Sequence, residues 1–471
     1  MMLTVLMLFF VLIISAAVYV SSRAKKTSDF LIAGRNVNLA MTTATLAVMQ
    51  IGAGVIMGGS YDAAQSGIWP GMWYGIGCGS GLILAGVFAA AKLRKSGGFV
   101  PLDFFANRYG EKKWIRFWGW FSNVPSLFGI FVAQIIAAKN ILPILYPGID
   151  MDKAAFLAII PVGLVTIIYS SLAGMWGVVI VDFIQLAVVL VGIPIVTVAA
   201  FLKLGNIAPV SSIIQTPFIP AGSLSTAIFK IVPFLFAISV SYDAYMRFQS
   251  AKSARTAKYG AILSGCIVIA ISFCISFVGA AGKKIFPDIP AGSILPHMIK
   301  QSLHPVLAGL VVSAILASIM SSAACLLLSL AGTFSRDFYN KVLHPDANLD
   351  ELKHSKLISR VVIIAALIVG LPIAAKASNI IDTMIIFNYP YMSSMLVPLL
   401  IGLLWKKPTF KGALAAIITG GSIGVLGFLS AIPGSFEGMI NVDLALLIAY
   451  AVSAMVLVAV SCATQEKREN T

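Results

Sequence analysis

Ser318, Ser321 and Ser322 are the side chains of this sequence whose types and spacing most suggest chemistry. They stand at i, i+3 and i+4 in an apolar run, so a helix there gathers three hydroxyls on one face. A serine in an apolar helix commonly returns its hydroxyl to a carbonyl one turn back, a use that needs no ligand. Three on one face also make an oxygen-lined surface. Neutral oxygens suit a hard monovalent cation such as sodium, whereas a divalent ion would call for carboxylates, which this face lacks. A second feature fits the same use. Gln50-Ile51-Gly52-Ala53-Gly54 and then Gly58-Gly59 interrupt another apolar run, with Ser60, Asp62 and Gln65 just beyond. Such glycines either let membrane helices pack closely or mark an unwound turn whose carbonyls face an ion. The polar neighbours favour unwinding.

The elements that must hold these residues are membrane helices. Of 471 residues, 59% are hydrophobic and 11% charged. Soluble chains carry about 25% charged residues, so a soluble enzyme is excluded. A span needs roughly 20 apolar residues. Thirteen runs qualify, at 2–22, 37–66, 69–91, 114–146, 154–173, 177–202, 226–247, 259–281, 304–334, 357–376, 379–405, 411–432 and 441–463. The first precedes Arg23, Lys25 and Lys26, the reverse of a signal peptide's order, and reads as a retained helix with its N-terminus outside. On that orientation 25 of the 33 basic residues, Arg116, Arg247 and Arg336 among them, fall in cytoplasmic loops or the cytoplasmic C-terminal tail. The formal charge of +15 then requires no nucleic acid. Lys139 and Lys230 read either as cations that draw an anionic solute inward or, the preferred reading, as side chains snorkelling to the outer interface. The seventh run is interrupted at Pro233. Runs two and seven lie five apart and point in opposite directions, the pattern of an inverted repeat whose halves each begin with a broken helix. Five cysteines, without metal-binding spacing, read as small apolar residues. No Walker-type run, HExxH or GxSxG supports a nucleotide-driven pump or an intramembrane enzyme.

Several short motifs, in order, resemble the sodium/solute symporter family, which includes sodium–galactose, sodium–proline and sodium–sialic acid transporters. They are Asp29-Phe30-Leu31-Ile32-Ala33-Gly34-Arg35, then Leu172-Ala173-Gly174-Met175-Trp176-Gly177 leading to Asp182 and Gln185. Met246-Arg247-Phe248, Ala251-Lys252-Ser253, Met320-Ser321-Ser322 and Ser335-Arg336-Asp337-Phe338-Tyr339 follow, and Pro398 to Trp405 with Gly412-Ala413 close the set. The resemblance implies an all-α integral membrane protein of thirteen helices with a leucine-transporter-like five-plus-five core. Its parts would be an extra helix and first loop (1–36), a first repeat (37–203), a second, inverted repeat (204–405) and two C-terminal helices with a tail (406–471). It implies a sodium site made by the carbonyls of Val48 and Ile51 with Ser318, Ser321 and Ser322. A second cation or proton site in some relatives uses Asp182. Here the accompanying hydroxyl positions are Ala324 and Cys325, so one sodium is expected. The solute pocket would involve Gln50, Gly54, Val55, Ile130, Gln134, Phe234, Ile238, Asn388 and Tyr389, with Tyr389-Pro390-Tyr391 as an outer gate or a simple proline kink. Sugar-reading polar groups are mostly replaced by glycine and aliphatic residues, which favours an amino acid or carboxylate over a sugar.

The expectation is therefore a sodium-coupled symporter in the plasma membrane, working as a monomer in the lipid bilayer, with sodium and a small organic solute as its ligands. Proton coupling through Asp182 or Asp62, and a solute sensor of the same fold that no longer transports, stay open as alternatives.

Overall fold

The computed structural model describes residues 1–21, 32–98, 100–110, 113–145, 153, 157, 174–214, 216–238, 241–345, 354–377, 379–431, 439 and 441–465. Among them every regular element is a helix, and the one extended contact is an isolated bridge between Val37 and Ala251. Eleven helical segments are long and apolar enough to cross a membrane. Met2–Ser21 (α1) is a further apolar helix of 20 residues. The expected fifth span, 154–173, lies outside the described residues. This is a multi-pass membrane protein, and its helices close their own backbone hydrogen bonds as a bilayer demands.

The second span is two helices, α2 (Leu39–Gln50) and α3 (Gly59–Ser66), joined by a π-helical stretch over Ile51–Gly58. Asn38 caps α2 by accepting the Met41 N–H at 2.9 Å. The third span follows as α4 (Ile68–Leu84) and α5 (Ala90–Ser96), then a short helix α6 (Pro101–Tyr109) and the long α7 (Lys113–Leu145). After α8 (Gly174–Gly205), the seventh span is again two pieces, α9 (Leu224–Ala237) and α10 (Tyr242–Ser250). The break is not at Pro233, which sits inside α9. It falls between Ala237 and Tyr242, where Ser241 starts α10 afresh by accepting the Ala244 N–H at 3.2 Å. A proline removes one backbone donor and is tolerated within a supported membrane helix; a fresh N-cap marks a true new start. The chain continues with α11 (Ala254–Ile285), α12 (Ile294–Ser302), α13 (Pro305–Gly332, prolonged by a π-helical stretch to Leu343), α14 (Ser355–Lys376), α15 (Ile380–Leu404), α16 (Phe410–Ser430) and α17 (Val442–Ala463).

Small residues bring these helices together. A methyl on Gly75 would run into Ser272, and one on Gly79 into the Gly265 carbonyl, so α4 and α11 touch nearly backbone to backbone. Two buried charge clusters tie the helices at opposite ends. At one end Lys230 of α9 bonds Asp62 of α3 at 2.5 Å and lies 3.8 Å from Asp382 at the start of α15. At the other end of α15, Arg108 of α6 donates to the carbonyls of Gly402, Trp405 and Lys406. Beside it Arg116 and Arg336 pair with Asp103 and Asp337.

Lys230 therefore does not snorkel: it is 8% exposed and spent on an ion pair. Lys139 does not either, since its ammonium caps the end of α14 by donating to the carbonyls of Ala374, Ala375 and Ala377. Removing one member of a buried pair strands the other charge, at a cost of about 3–5 kcal/mol. Lys230→Met is expected to lose about that much stability in the detergent-purified protein, and Asp62→Asn/Lys230→Met to regain most of it. Unfolding midpoints of the three proteins check this, and equal midpoints would show that the pair holds nothing together.

Candidate functional site

The break in the second span is shaped by what its glycines touch. Gly52 leaves the helical region (φ −50°, ψ −135°), and every residue from Ile51 to Gly58 is buried. A Cβ on Gly54 would stand 2.6 Å from the Tyr74 ring, and one on Gly58 2.6 Å from Ile381 Cγ1. Glycine alone lets this backbone lie so close to α4 and α15.

On its other side the break faces α13. From the Cβ position of Gly52, Ser322 Oγ is 3.6 Å away, Ser318 Oγ 3.7 Å and Gln134 Oε1 of α7 3.9 Å. Ser318 is buried, and among the described residues neither its Oγ nor Gln134 Oε1 has a hydrogen-bond partner. Buried polar atoms are nearly always satisfied, so lone oxygens converging on an irregular backbone point to a ligand that supplies the missing positive end. Ser318 has therefore not spent its hydroxyl on its own helix. The Val48 carbonyl accepts the Ile51 N–H at this break and keeps a second lone pair. Ser321 lies on the same helix, but its side chain is outside the described ones. The hydroxyl and carbonyl oxygens at this contact are neutral, which fits a monovalent cation, while Gln134 Oε1 stands beside them in the wall of the cavity described next. Among the described residues no three His, Cys, Asp or Glu side chains converge to hold a metal.

Beside this contact is a cavity of about 30 Å³. Its wall includes Gln50, Gly54, Ile130 and Gln134 of the expected solute pocket, and Ser322 of the expected ion site. That volume matches a water or an ion, and a solute needs the helices to part. The other expected pocket residues lie elsewhere. Val55 is buried in the break. Phe234 packs edge-on to Tyr74, 4.8 Å between ring centres, and Ile238 lies against Gly81. Asn388 accepts a hydrogen bond from Ser126 and donates to the Met384 carbonyl at 2.7 Å. Tyr389 donates to the Val442 carbonyl at 2.7 Å, against α17.

Asp182 of α8 is fully buried. It accepts the Thr45 hydroxyl at 2.5 Å and lies 3.6 Å from Arg247 Nη2, while Arg247 Nε donates to Thr45 at 2.9 Å. Its charge is already met by a guanidinium. Arg247 is therefore not a loop residue: it is 5% exposed, on α10, and part of the cavity wall with Asp243 one turn before it. Sequence reasoning missed Asp243 as a wall residue. The signal was present, an acid and a base at i and i+4, but the motif stood at the end of a span and Arg247 was counted with the loop charges.

A broken-helix site inside an all-helical membrane bundle defines a transporter-like protein. The family model for the Sodium:solute symporter family matches residues 30–420, and the chain belongs to that family. It is a family of transporters, not enzymes, and the resemblance carried by the motifs is borne out. The chain is 24% identical over 446 residues to a sodium/pantothenate symporter of Haemophilus influenzae, covering 88% of each. It is 26% identical over 462 residues to the high affinity choline transporter 1 of Homo sapiens, covering 88% of this chain and 74% of that one. Its fold is shared with a Na+-coupled sialic acid symporter solved in a substrate-bound outward-open state, at a TM-score of 0.76 and 20% identity over 98% of either chain.

Gly52→Ala places a methyl in ordinary contact with both serine hydroxyls, in the space an ion would share with them. The variant is expected to fold and, if an ion at this contact stabilises the purified wild type when sodium is added, to lose that stabilisation. Undiminished stabilisation would place the ion elsewhere.

Proposed function

We propose that this protein is a secondary active transporter that carries a small organic solute into the cell together with sodium, by alternating access. The observation that carries the reading is the pair of hydroxyls, Ser318 and Ser322, facing the helix break at Gly52, with Ser318 Oγ lacking any other partner. Family membership supports it. Sodium would be held by the carbonyls of Val48 and Ile51 with Ser318, Ser321 and Ser322. An ion there bridges two helices that must separate for the site to open on the other side. Binding thus favours one arrangement, and release accompanies the other. The proposed layout is thirteen helices: residues 1–36, a five-helix repeat over 37–203, its inverted partner over 204–405, and 406–471. Two broken spans five apart support that layout.

One sodium per cycle is the proposal. Asp182 is committed to Arg247 and Thr45, and Cys325 stands in the cavity wall where a second site would need a hydroxyl. The same commitment speaks against proton coupling through Asp182, as does the Lys230 pair for Asp62. One ion suffices energetically. About 2.3 kcal/mol from a 100 mV potential and about 1.4 kcal/mol from a tenfold sodium gradient concentrate a neutral solute several hundredfold. The protein would work as a monomer in the plasma membrane with its N-terminus outside. Setting aside Arg116, Arg247 and Arg336, spent on internal ion pairs, 22 basic residues still mark the cytoplasmic side.

The solutes that relatives are named for differ in charge, since pantothenate is a carboxylate and choline a quaternary ammonium. An amino acid or carboxylate is proposed here over a sugar, on the glycine and aliphatic residues Gly54, Val55, Ile130 and Ile238 among the expected pocket positions. Ser318→Ala and Ser322→Ala are each expected to raise the sodium concentration for half-maximal stabilisation at least about tenfold, the equivalent of about 1.4 kcal/mol of lost binding. Sodium titrations of thermal stability, with potassium as control, measure this. Wild-type sodium dependence in both variants would remove the site.

A further inference from the structure

Around the cavity the charges do not balance. Asp182, Asp243 and Arg247 meet within it or behind its wall, two carboxylates to one guanidinium. Arg247 directs Nη2 to Asp182 and Nε to Thr45, and its only bond to Asp243 is from Nη1 to the backbone carbonyl, at 3.2 Å. The Asp243 carboxylate accepts the Ser241 hydroxyl on Oδ1 at 2.7 Å, and among the described residues its Oδ2 has no bond. Across the cavity, Gln134, 3% exposed, presents Oε1 with no donor to satisfy it. A half-buried carboxylate with no ion-pair partner among the described residues and an amide oxygen with no donor share this wall, and a cation that also donates hydrogen bonds would satisfy both.

We infer that Asp243 is the specificity-determining residue of the solute pocket and that the solute carries an ammonium group, as an amine or amino acid does, held between Asp243 and Gln134. The inference rests on the transporter reading above. It narrows the solute class, because a simple carboxylate or sugar leaves Asp243 unpaired. A quaternary ammonium cannot donate to Gln134 Oε1, and among the described residues no aromatic ring lines the cavity to cradle one. The carbon body would rest on Met49, Ile130 and Met384.

The test is a thermal-shift panel on the full-length purified protein, with and without sodium. It pairs the amino acids and simple amines with their 2-hydroxy-acid analogues (alanine with lactate, for example), and adds glycine betaine, choline and galactose. Only ammonium-bearing members are expected to stabilise. Asp243→Asn is expected to weaken the best of them at least about thirtyfold, as loss of one partner of a hydrogen-bonded charge pair does. Stabilisation by sodium alone should persist in that variant, and Asp243→Glu should recover part of the affinity, which separates recognition from misfolding. The proposal is overturned by a hydroxy acid, quaternary amine or sugar as the best ligand, by no ammonium compound stabilising, or by wild-type affinity in Asp243→Asn. If sodium alone fails to stabilise the wild type while an ammonium compound succeeds, the sodium reading fails and this one stands.

Discussion

The contact between the interrupted second span and the hydroxyl face of α13 organises the rest of the molecule. A bilayer tolerates irregular backbone only where protein surrounds it or where it lines a cavity. The stretch Ile51–Gly58 meets that demand on every side. Tyr74 closes on Gly54, Ile381 on Gly58, and Ser318 and Ser322 on Gly52. Each approach needs glycine on one side and a particular partner on the other. α4, α13 and α15 are thus held in register by the same eight residues that expose the candidate ion ligands. An ion at that point would complete the packing of the break as well as its hydrogen bonding.

The buried charges act at a second level. The cluster of Asp62, Lys230 and Asp382 joins both broken spans to α15 at one end, and Asp103, Arg116, Arg336 and Asp337 join α6 and α7 to the end of α13 at the other. Ion pairs desolvated in this way add little net stability but are costly to leave half-made. They favour discrete arrangements over a continuum, which suits the rocking between two states proposed for these helices. The cavity wall carries charge of its own, with Arg247 paired to Asp182 and, among the described residues, no ion pair to Asp243.

Much of this was legible in the residues themselves. Apolar length and the run of basic residues reveal a membrane protein, because burial in lipid is a property of composition. Three serines at i, i+3 and i+4 share a face in any α-helix. Gly52, Gly54, Gly58 and Gly59, so close together, mark a weak helix before any fold is known. Hydropathy could not show which polar residues near span ends turn inward. Lys230, Arg116 and Arg247 look like interface or loop charges in one dimension, and only their carboxylate partners, scores of residues distant for Asp62 and Asp182, draw Lys230 and Arg247 into the bundle. Pro233 looked like the second break because proline is the usual local breaker, yet neighbouring helices carry it and the chain restarts at the Ser241 cap.

By itself, then, the sequence determined the class, the eleven spans borne out among the described residues and the hydroxyl face at Ser318 and Ser322, all consequences of local periodicity and transfer from water. Tertiary structure alone decided that this face meets Gly52, that Phe234 and Tyr389 pack away from the cavity, and that Asp243 enters its wall. Those outcomes depend on which helices come within a few ångströms of one another, and no one-dimensional pattern encodes that distance.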